Sequence, residues 1–222
     1  MSLICLSPQE FVGYDILLEF LFSLVALTVA LFAFKAYKMT SHRQIRLFSA
    51  GFMFIFFSYI TQALFSALIL LRGDDVVCQR DIFETLLLNT LGFYSHVLFM
   101  IIGLLILVYM TFRTKKFTAL GFLITITLVS LFFSQSLFYN FYLLTAISFG
   151  FLSWHFIETY MGKKNNKTLL VIAAFGLLTA SSLIFLVSLS QPNLYVFGKL
   201  FELVAYMFIL TNFYLITKVK GL

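Results

Sequence analysis

Apolar residues follow one another along this chain in long runs that short polar segments separate. Each run is apolar at odd and even positions alike, whereas a membrane β-strand alternates in polarity over about 10 residues. An α-helix needs about 20 apolar residues to cross a bilayer. The pattern predicts seven membrane-spanning helices, at residues 14–37, 45–71, 83–112, 117–133, 138–161, 168–189 and 196–217. The predicted fold is an all-α, polytopic seven-helix bundle that forms a single domain over residues 1–222.

The composition leaves little water-facing surface. Hydrophobic residues make up 62% of the chain and charged residues 11%, and the mean hydropathy is +1.03, whereas a soluble domain is about 25% charged. The lipid bilayer is therefore the expected surrounding of the chain. The first dozen residues have no basic segment of the kind that begins a cleaved signal peptide, so we expect the first helix to remain in the protein.

The basic residues are unevenly divided between the two sets of connections. Arg72, Arg80 and Lys199 lie on the side of the N-terminus. The opposite side holds Lys35, Lys38, Arg43, Arg46, Arg113, Lys115, Lys116, Lys163, Lys164, Lys167, Lys218 and Lys220. Because positive residues accumulate on the cytoplasmic side, we predict a multi-pass protein of the cell membrane with its N-terminus outside and its C-terminus cytoplasmic. The pI of about 9.3 follows from this asymmetry, so no nucleic-acid partner is expected.

Both cysteines, Cys5 and Cys78, fall on the predicted outer side. Thiols on an oxidising face commonly persist as disulfides, so we predict a bridge between Cys5 and Cys78. The alternative is that the two thiols are unrelated and free. A bridge would tie the N-terminal segment to the connection between the second and third helices.

Polar side chains at membrane depth are costly and often mark a functional site. The sequence predicts a small pocket that opens to the outside and is formed by Glu19, Tyr59, Gln62, His96, Lys199, Glu202 and Tyr206. In it, Glu19 and Glu202 supply charge and His96 exchanges a proton or contacts a ligand. The alternative is that these side chains only join helices, as polar groups commonly do in membranes. For Glu202 that alternative is an ion pair with Lys199, three residues earlier on the same helix.

Enzymatic functions require arrangements that the sequence lacks. A bis-histidine haem needs two ligands at one depth, but His96 is predicted near mid-membrane and His155 near a cytoplasmic end. No HxxxH or HExxH pattern supplies zinc ligands. A retinal protein needs a lysine midway along the seventh helix, whereas Lys199 is near its start. We therefore expect a non-enzymatic protein without a cofactor or a metal.

Faint parallels link the second and third helices with the sixth and seventh. Ala50-Gly51-Phe52 resembles Ala173-Ala174-Phe175, and residues 103–107 resemble residues 206–210. Two parallel three-helix repeats on either side of a fourth helix are one way to build a carrier. Chance similarity between segments rich in Leu and Phe is the alternative. Both prolines lie outside the predicted helices, so no proline predicts the broken helices that carriers use at their sites.

Three short motifs are similar to a known class of membrane domain. They are Ala50-Gly51-Phe52 at the start of the second helix, Tyr94-Ser95-His96 followed by Gly103, and Lys199-x-x-Glu202-x-x-x-Tyr206. They resemble the seven-helix membrane sensor domains of bacterial and archaeal histidine kinases and the stand-alone archaeal relatives of these domains. The resemblance implies a receptor or an accessory subunit that acts through a membrane or cytoplasmic signalling partner. The sequence departs from sensor kinases in that no output domain follows Leu222.

The sequence therefore predicts a non-enzymatic sensor, receptor-like protein or accessory subunit of a membrane assembly that acts through its cytoplasmic loops. The alternative function is a small-solute transporter with a polar site inside the membrane. A ligand that stabilises the protein without any flux would distinguish the first function from the second.

Overall fold

The computed structural model describes residues 12–71, 82–112, 117–134, 136–164, 166–191 and 193–220. Within these ranges the chain is all-α, as predicted. Its seven helices are α1 (Val12–Thr40), α2 (Arg43–Leu71), α3 (Ile82–Thr111), α4 (Phe117–Phe132), α5 (Leu137–Lys163), α6 (Asn166–Ser188) and α7 (Leu194–Lys220). All except α4 are long and apolar enough to cross a membrane. The chain is therefore a multi-pass membrane protein whose helices contact the lipid bilayer.

The helices are apolar on the faces that point outward as well as on those that point inward. On α1, the exposed side chains Leu17, Leu24 and Leu31 recur every seventh residue along one face, while Phe22 and Ala26 are fully buried. Lipid tails are as apolar as the interior of the bundle, so both faces carry the same kinds of residue. Helical periodicity in the sequence therefore could not identify which face of each helix is buried.

A tight turn joins α1 to α2. Ser41 follows the last residue of α1 and has a positive φ of 54°, and its N–H donates to the carbonyl oxygen of Tyr37 at 2.7 Å. A left-handed residue at this position is a common way to end a helix. The turn reverses the chain at once, so that α2 packs back along α1.

Six of the helices form a closed ring. Along the chain, α1 packs on α2, α2 on α3, α5 on α6, and α6 on α7. Contacts of α3 with α5 and of α1 with α7 close the ring, while α4 packs against α3 and α5. Helices that follow one another within α1–α3 and within α5–α7 are antiparallel, so each set of three forms one half of the bundle.

The α1–α7 junction brings together two parallel helices. Tyr195 contacts Asp15 at the start of both helices, and further along both helices the ring of Tyr206 stacks on Phe22 at a centroid distance of 4.9 Å. We call the end of the bundle at which α1, α3, α5 and α7 begin the N-end. The chain supplies no short loop between α1 and α7, so side-chain contacts hold this junction together.

The α3–α5 junction is also parallel, but it is aromatic. Phe93 stacks on Phe138 with ring centroids 4.2 Å apart, and nearer the opposite end Phe112 stacks on Phe151 at 5.4 Å. Stacked aromatic pairs add about 0.5–1.5 kcal/mol to the burial of their surfaces. The two junctions between the halves thus differ in chemistry.

Small residues let α2 and α3 approach closely. A Cβ atom at Gly103 would lie 2.8 Å from the carbonyl oxygen of Gly51, and one at Gly51 would lie 2.7 Å from the side chain of Leu107. Backbones in membranes pack this closely only where glycine or another small residue removes the obstructing side chain. These two glycines therefore set the distance between α2 and α3.

Candidate functional site: a buried charged cluster between α1, α2 and α7

A buried ammonium group joins α7 to α1 near the N-end. Lys199 lies in the second turn of α7 and has only 6% of its surface exposed. Its Nζ is 2.9 Å from Asp15 Oδ1 and 3.6 Å from Glu19 Oε1. The two acids are four residues apart and therefore share one face of α1. These ion pairs cross the α1–α7 junction.

Aromatic groups complete the surroundings of the ammonium group. The hydroxyl of Tyr195 donates to Asp15 Oδ2 at 2.8 Å. The Nζ of Lys199 lies 5.7 Å from the ring centroid of Tyr195 and 5.9 Å from that of Phe22. A cation over an aromatic face gains about 2 kcal/mol when it is removed from water. The site thus offers an ammonium group both carboxylates and aromatic rings.

A second acid on α7 connects the site to α2. Glu202 is buried, and the hydroxyl of Tyr59 donates to its Oε1. The ring of Tyr59 contacts the edges of Phe22 and Tyr206, with centroids 5.5 Å and 5.8 Å away. These aromatic rings pack beneath the charges and separate them from the rest of the core. We call Asp15, Glu19, Lys199 and Glu202 the charged cluster.

His96 lies next to the charged cluster on α3. Its ring centroid is 5.6 Å from that of Tyr59, and its Nδ1 is 2.9 Å from the Oγ of Ser58. The hydroxyl of Ser58 donates to the carbonyl oxygen of His96 at 2.8 Å. Because the hydroxyl has a single proton, this network assigns a proton to Nδ1, which then donates to Ser58. The histidine is therefore held between α2 and α3.

Apart from Asp15 Oδ1, which is ion-paired with Lys199, two oxygens near this region are buried without a hydrogen-bond partner in the described part of the chain. They are Glu19 Oε2 and Gln62 Oε1. Gln62 lies one turn from Tyr59 along α2, toward the N-end. Buried polar atoms are normally hydrogen-bonded, so these oxygens mark positions where a further proton or donor is expected.

The core changes character away from the N-end. There the buried side chains are predominantly apolar and include Val29, Ala33, Ile101, Leu104, Leu107, Leu152, Ala174, Phe175 and Ile209. Asn212 is a buried exception on α7, and its Oδ1 has no hydrogen-bond partner among the described residues. The charged cluster is thus confined to the N-end half of the bundle.

The structure brings most of the predicted pocket residues together. Glu19, Tyr59, Lys199, Glu202 and Tyr206 meet at the α1–α7 junction, His96 adjoins Tyr59, and Gln62 lies one turn away on α2. Within the described residues, Lys199 pairs with acids on α1 rather than with Glu202. The pairing is therefore between helices and not along α7.

Two residues of the site were absent from the sequence prediction. They are Asp15 and Tyr195, which are not among the seven residues of the predicted pocket. Each lies four residues before a predicted pocket residue, Glu19 or Lys199, and so on the same helix face. This spacing is the signal that would have added both residues to the site.

Metal binding and the disulfide can be considered only in the described ranges. In these ranges, no three His, Cys, Asp or Glu side chains are placed to hold a metal ion. The predicted bridge between Cys5 and Cys78 falls outside the described residues and stays a prediction.

Comparisons of the chain with protein-family models, with curated proteins and with solved structures found no match. The function therefore has to be inferred from the chemistry of the site and from the arrangement of the helices.

Proposed function

We propose that this chain is a non-enzymatic, receptor-like protein of the cell membrane in which the charged cluster receives a signal at the outer face. It acts through a membrane or cytoplasmic partner, as a receptor or as the accessory subunit of an assembly. In this proposal α4 is the seventh span, because its 16 residues cover about 24 Å. With seven spans the two termini lie on opposite sides of the membrane, and the positive residues favour an outer N-end and a cytoplasmic C-terminus.

The observation that carries this proposal is the position of the charged cluster at the α1–α7 junction. Lys199 holds α7 to two acids of α1 across an interface that no short loop secures. Any event that changes the charge of this site changes the attraction between the two halves. A receptor requires such a link between a local chemical event and the relative position of helices.

The apolar core beyond the cluster also favours reception over passage. On the side of Tyr206 that faces away from the N-end, the buried side chains of α3, α5 and α6 are mainly aliphatic or aromatic. This apolar core opposes the passage of a polar solute through the bundle. A displacement of the helices can still carry a signal from the N-end to the cytoplasmic ends. The similarity of three motifs to membrane sensor domains agrees with this function.

The test measures whether the cluster controls the far ends of the helices. Spin labels are attached at Met39 on α1 and Met161 on α5, which are exposed residues in different halves, and the distance between them is measured in lipid nanodiscs. We expect Lys199→Gln to shift or broaden this distance. Glu158→Gln is the matched control, because Glu158 is exposed on α5. Its Oε1 accepts a hydrogen bond from Nε1 of Trp154, one turn earlier on the same helix, at 3.0 Å. Unchanged distances for Lys199→Gln would contradict a receptor role.

A small-solute carrier is the second candidate, and the ring of two three-helix halves favours it. When the sequence of α2 is aligned with that of α6 in one register, three buried residues of α2 match three buried residues of α6. The matches are Gly51 with Ala174, Phe52 with Phe175, and Ser58 with Ser181. The hydroxyls of Ser58 and Ser181 both donate to a carbonyl oxygen of the next helix, at 2.8 Å and 2.9 Å. This agreement is what parallel repeats of a carrier would produce.

Proteoliposomes distinguish the two candidates. A carrier should move a radiolabelled sugar or amino acid across the bilayer at a rate that Glu202→Gln lowers and Glu158→Gln does not. A receptor should show no such flux in a panel of these solutes. An accessory subunit should co-purify with a fixed partner, and this association should survive Glu202→Gln.

A further inference from the structure

The charged cluster holds more acid than base. Lys199 supplies the one ammonium group of the cluster and pairs with Asp15 and Glu19, while Glu202 is a third buried acid, so complete ionisation would leave two uncompensated negative charges. A charge buried without compensation is costly inside a membrane. The structure therefore requires either further cations or neutral carboxyl groups at this site.

The neighbouring helices offer little additional positive charge. Among the residues that the structure describes, the titratable groups that face the cluster are Tyr59 on α2, His96 on α3, Tyr142 on α5, and Tyr195 and Tyr206 on α7. A tyrosine is neutral or negative and cannot compensate a carboxylate by charge. The histidine is the only one of these five that can become positive, and the ring of Tyr59 lies between it and Glu202.

The unpaired oxygen of Glu19 is a second and independent indication that this site binds a cation or a proton. Glu19 is 5% exposed, its Oε1 faces Lys199 at 3.6 Å, and its Oε2 is buried without a hydrogen-bond partner in the described part of the chain. A metal ion would need several ligands around one point, and no three acids or histidines are so placed within the described ranges. A proton needs only one oxygen atom, which fits this arrangement.

We propose that Glu19 and Glu202 form a proton-binding site that holds exchangeable protons when the α1–α7 junction is closed. On release, the O–H bond of the carboxyl group breaks, the proton passes to water at the N-end, and a carboxylate remains. Lys199 then compensates only one of three carboxylates, and the carboxylate of Glu202 on α7 repels the two carboxylates of α1. The inference rests on the proposed receptor function, for which it names the proton as the signal.

Infrared spectroscopy of the full chain in lipid nanodiscs tests the site directly. At acidic to neutral pH the wild-type protein should show the C=O stretching band of a buried protonated carboxyl group, and this band should disappear as the pH rises. Glu19→Gln and Glu202→Gln should each remove part of the band, and the double variant should remove it. Glu158→Gln is the control and should leave it unchanged.

The absence of this band in the wild-type protein would overturn the proposal, whatever the variants do. A band that both glutamine substitutions leave intact would overturn it as well, because the proton would then lie elsewhere. Since the wild-type titration needs no substitution, a variant that fails to fold does not prevent the test.

A distance measurement separates this proposal from the receptor function. Spin labels at Leu17 on α1 and Phe197 on α7, both exposed, should move apart as the pH rises in the wild-type protein. The double variant Glu19→Gln with Glu202→Gln should not show this movement. A carboxyl band that titrates without any change in distance would support the proton-binding site and refute the receptor function.

Discussion

Gly103→Ala tests the close approach of α2 and α3, on which the first half of the ring depends. The new methyl group would lie 2.8 Å from the carbonyl oxygen of Gly51 and 3.0 Å from Cγ1 of Ile55. A carbon and a carbonyl oxygen normally approach to about 3.3–3.6 Å. One of the obstructing atoms belongs to the backbone, so the two helices must separate by about 0.5 Å or more.

The magnitude follows from two opposing effects. Overpacking of this kind costs about 1–3 kcal/mol, while replacing glycine by alanine inside a helix gains about 1 kcal/mol. Gly121→Ala is the matched control, because Gly121 is helical in α4 and a Cβ atom there would meet nothing within 4 Å. The helix-forming gain is common to both variants, so the control should be the more stable of the two by about 1–3 kcal/mol.

The assay is thermal unfolding of both variants in the same detergent, followed by circular dichroism. For a chain of this length, 1 kcal/mol corresponds to a Tm difference of about 2–4 °C. A Gly103→Ala variant as stable as Gly121→Ala would refute the reasoning, because it would show that α2 and α3 have room for a methyl group.

Three further experiments test other contacts. Lys199→Met should destabilise the protein by about 3–5 kcal/mol, because it leaves buried acids without their cation. Adding Asp15→Asn should recover part of this loss in the same unfolding assay, because it removes the acid 2.9 Å from the ammonium group, and independent additive losses would contradict the pairing. Ser58→Ala removes a hydrogen bond between α2 and α3 and should cost only about 0.6 kcal/mol, so a loss as large as that of Lys199→Met would show a greater role. For Cys5 and Cys78, we expect no thiol alkylation in the intact mass before reduction and two alkyl groups after it, whereas labelling without reductant would exclude the bridge.

The helices were accessible from the sequence because each is a long apolar run, but their arrangement was not. Leu17 faces lipid and Phe22 faces the core, and both are equally apolar, so no periodic pattern marks the interior of the bundle. The closure of the ring through α1 and α7 depends on contacts between residues at the two ends of the chain. Local sequence patterns carry no information about such contacts.

The candidate site was more accessible, because its residues are costly where they are. Glu19, Lys199 and Glu202 stand out as charges within apolar runs, which is a strong signal in a membrane helix. What the sequence did not reveal was which charges meet. The sequence offered Glu202 as the partner of Lys199 along α7, whereas the structure pairs Lys199 with Asp15 and Glu19 on α1.

The α1–α7 junction also sets the order in which the chain can be completed during synthesis. Asp15 and its partner Tyr195 are 180 residues apart, so α1 enters the membrane long before α7 leaves the ribosome. Until then the two acids of α1 have no ammonium partner, and each acidic residue opposes insertion of its helix. The nascent α1 must therefore keep these acids protonated or near the water interface until Lys199 arrives. Closure of the ring through this junction thus requires α7, and a chain that stops before α7 leaves Asp15 and Glu19 without their ammonium partner.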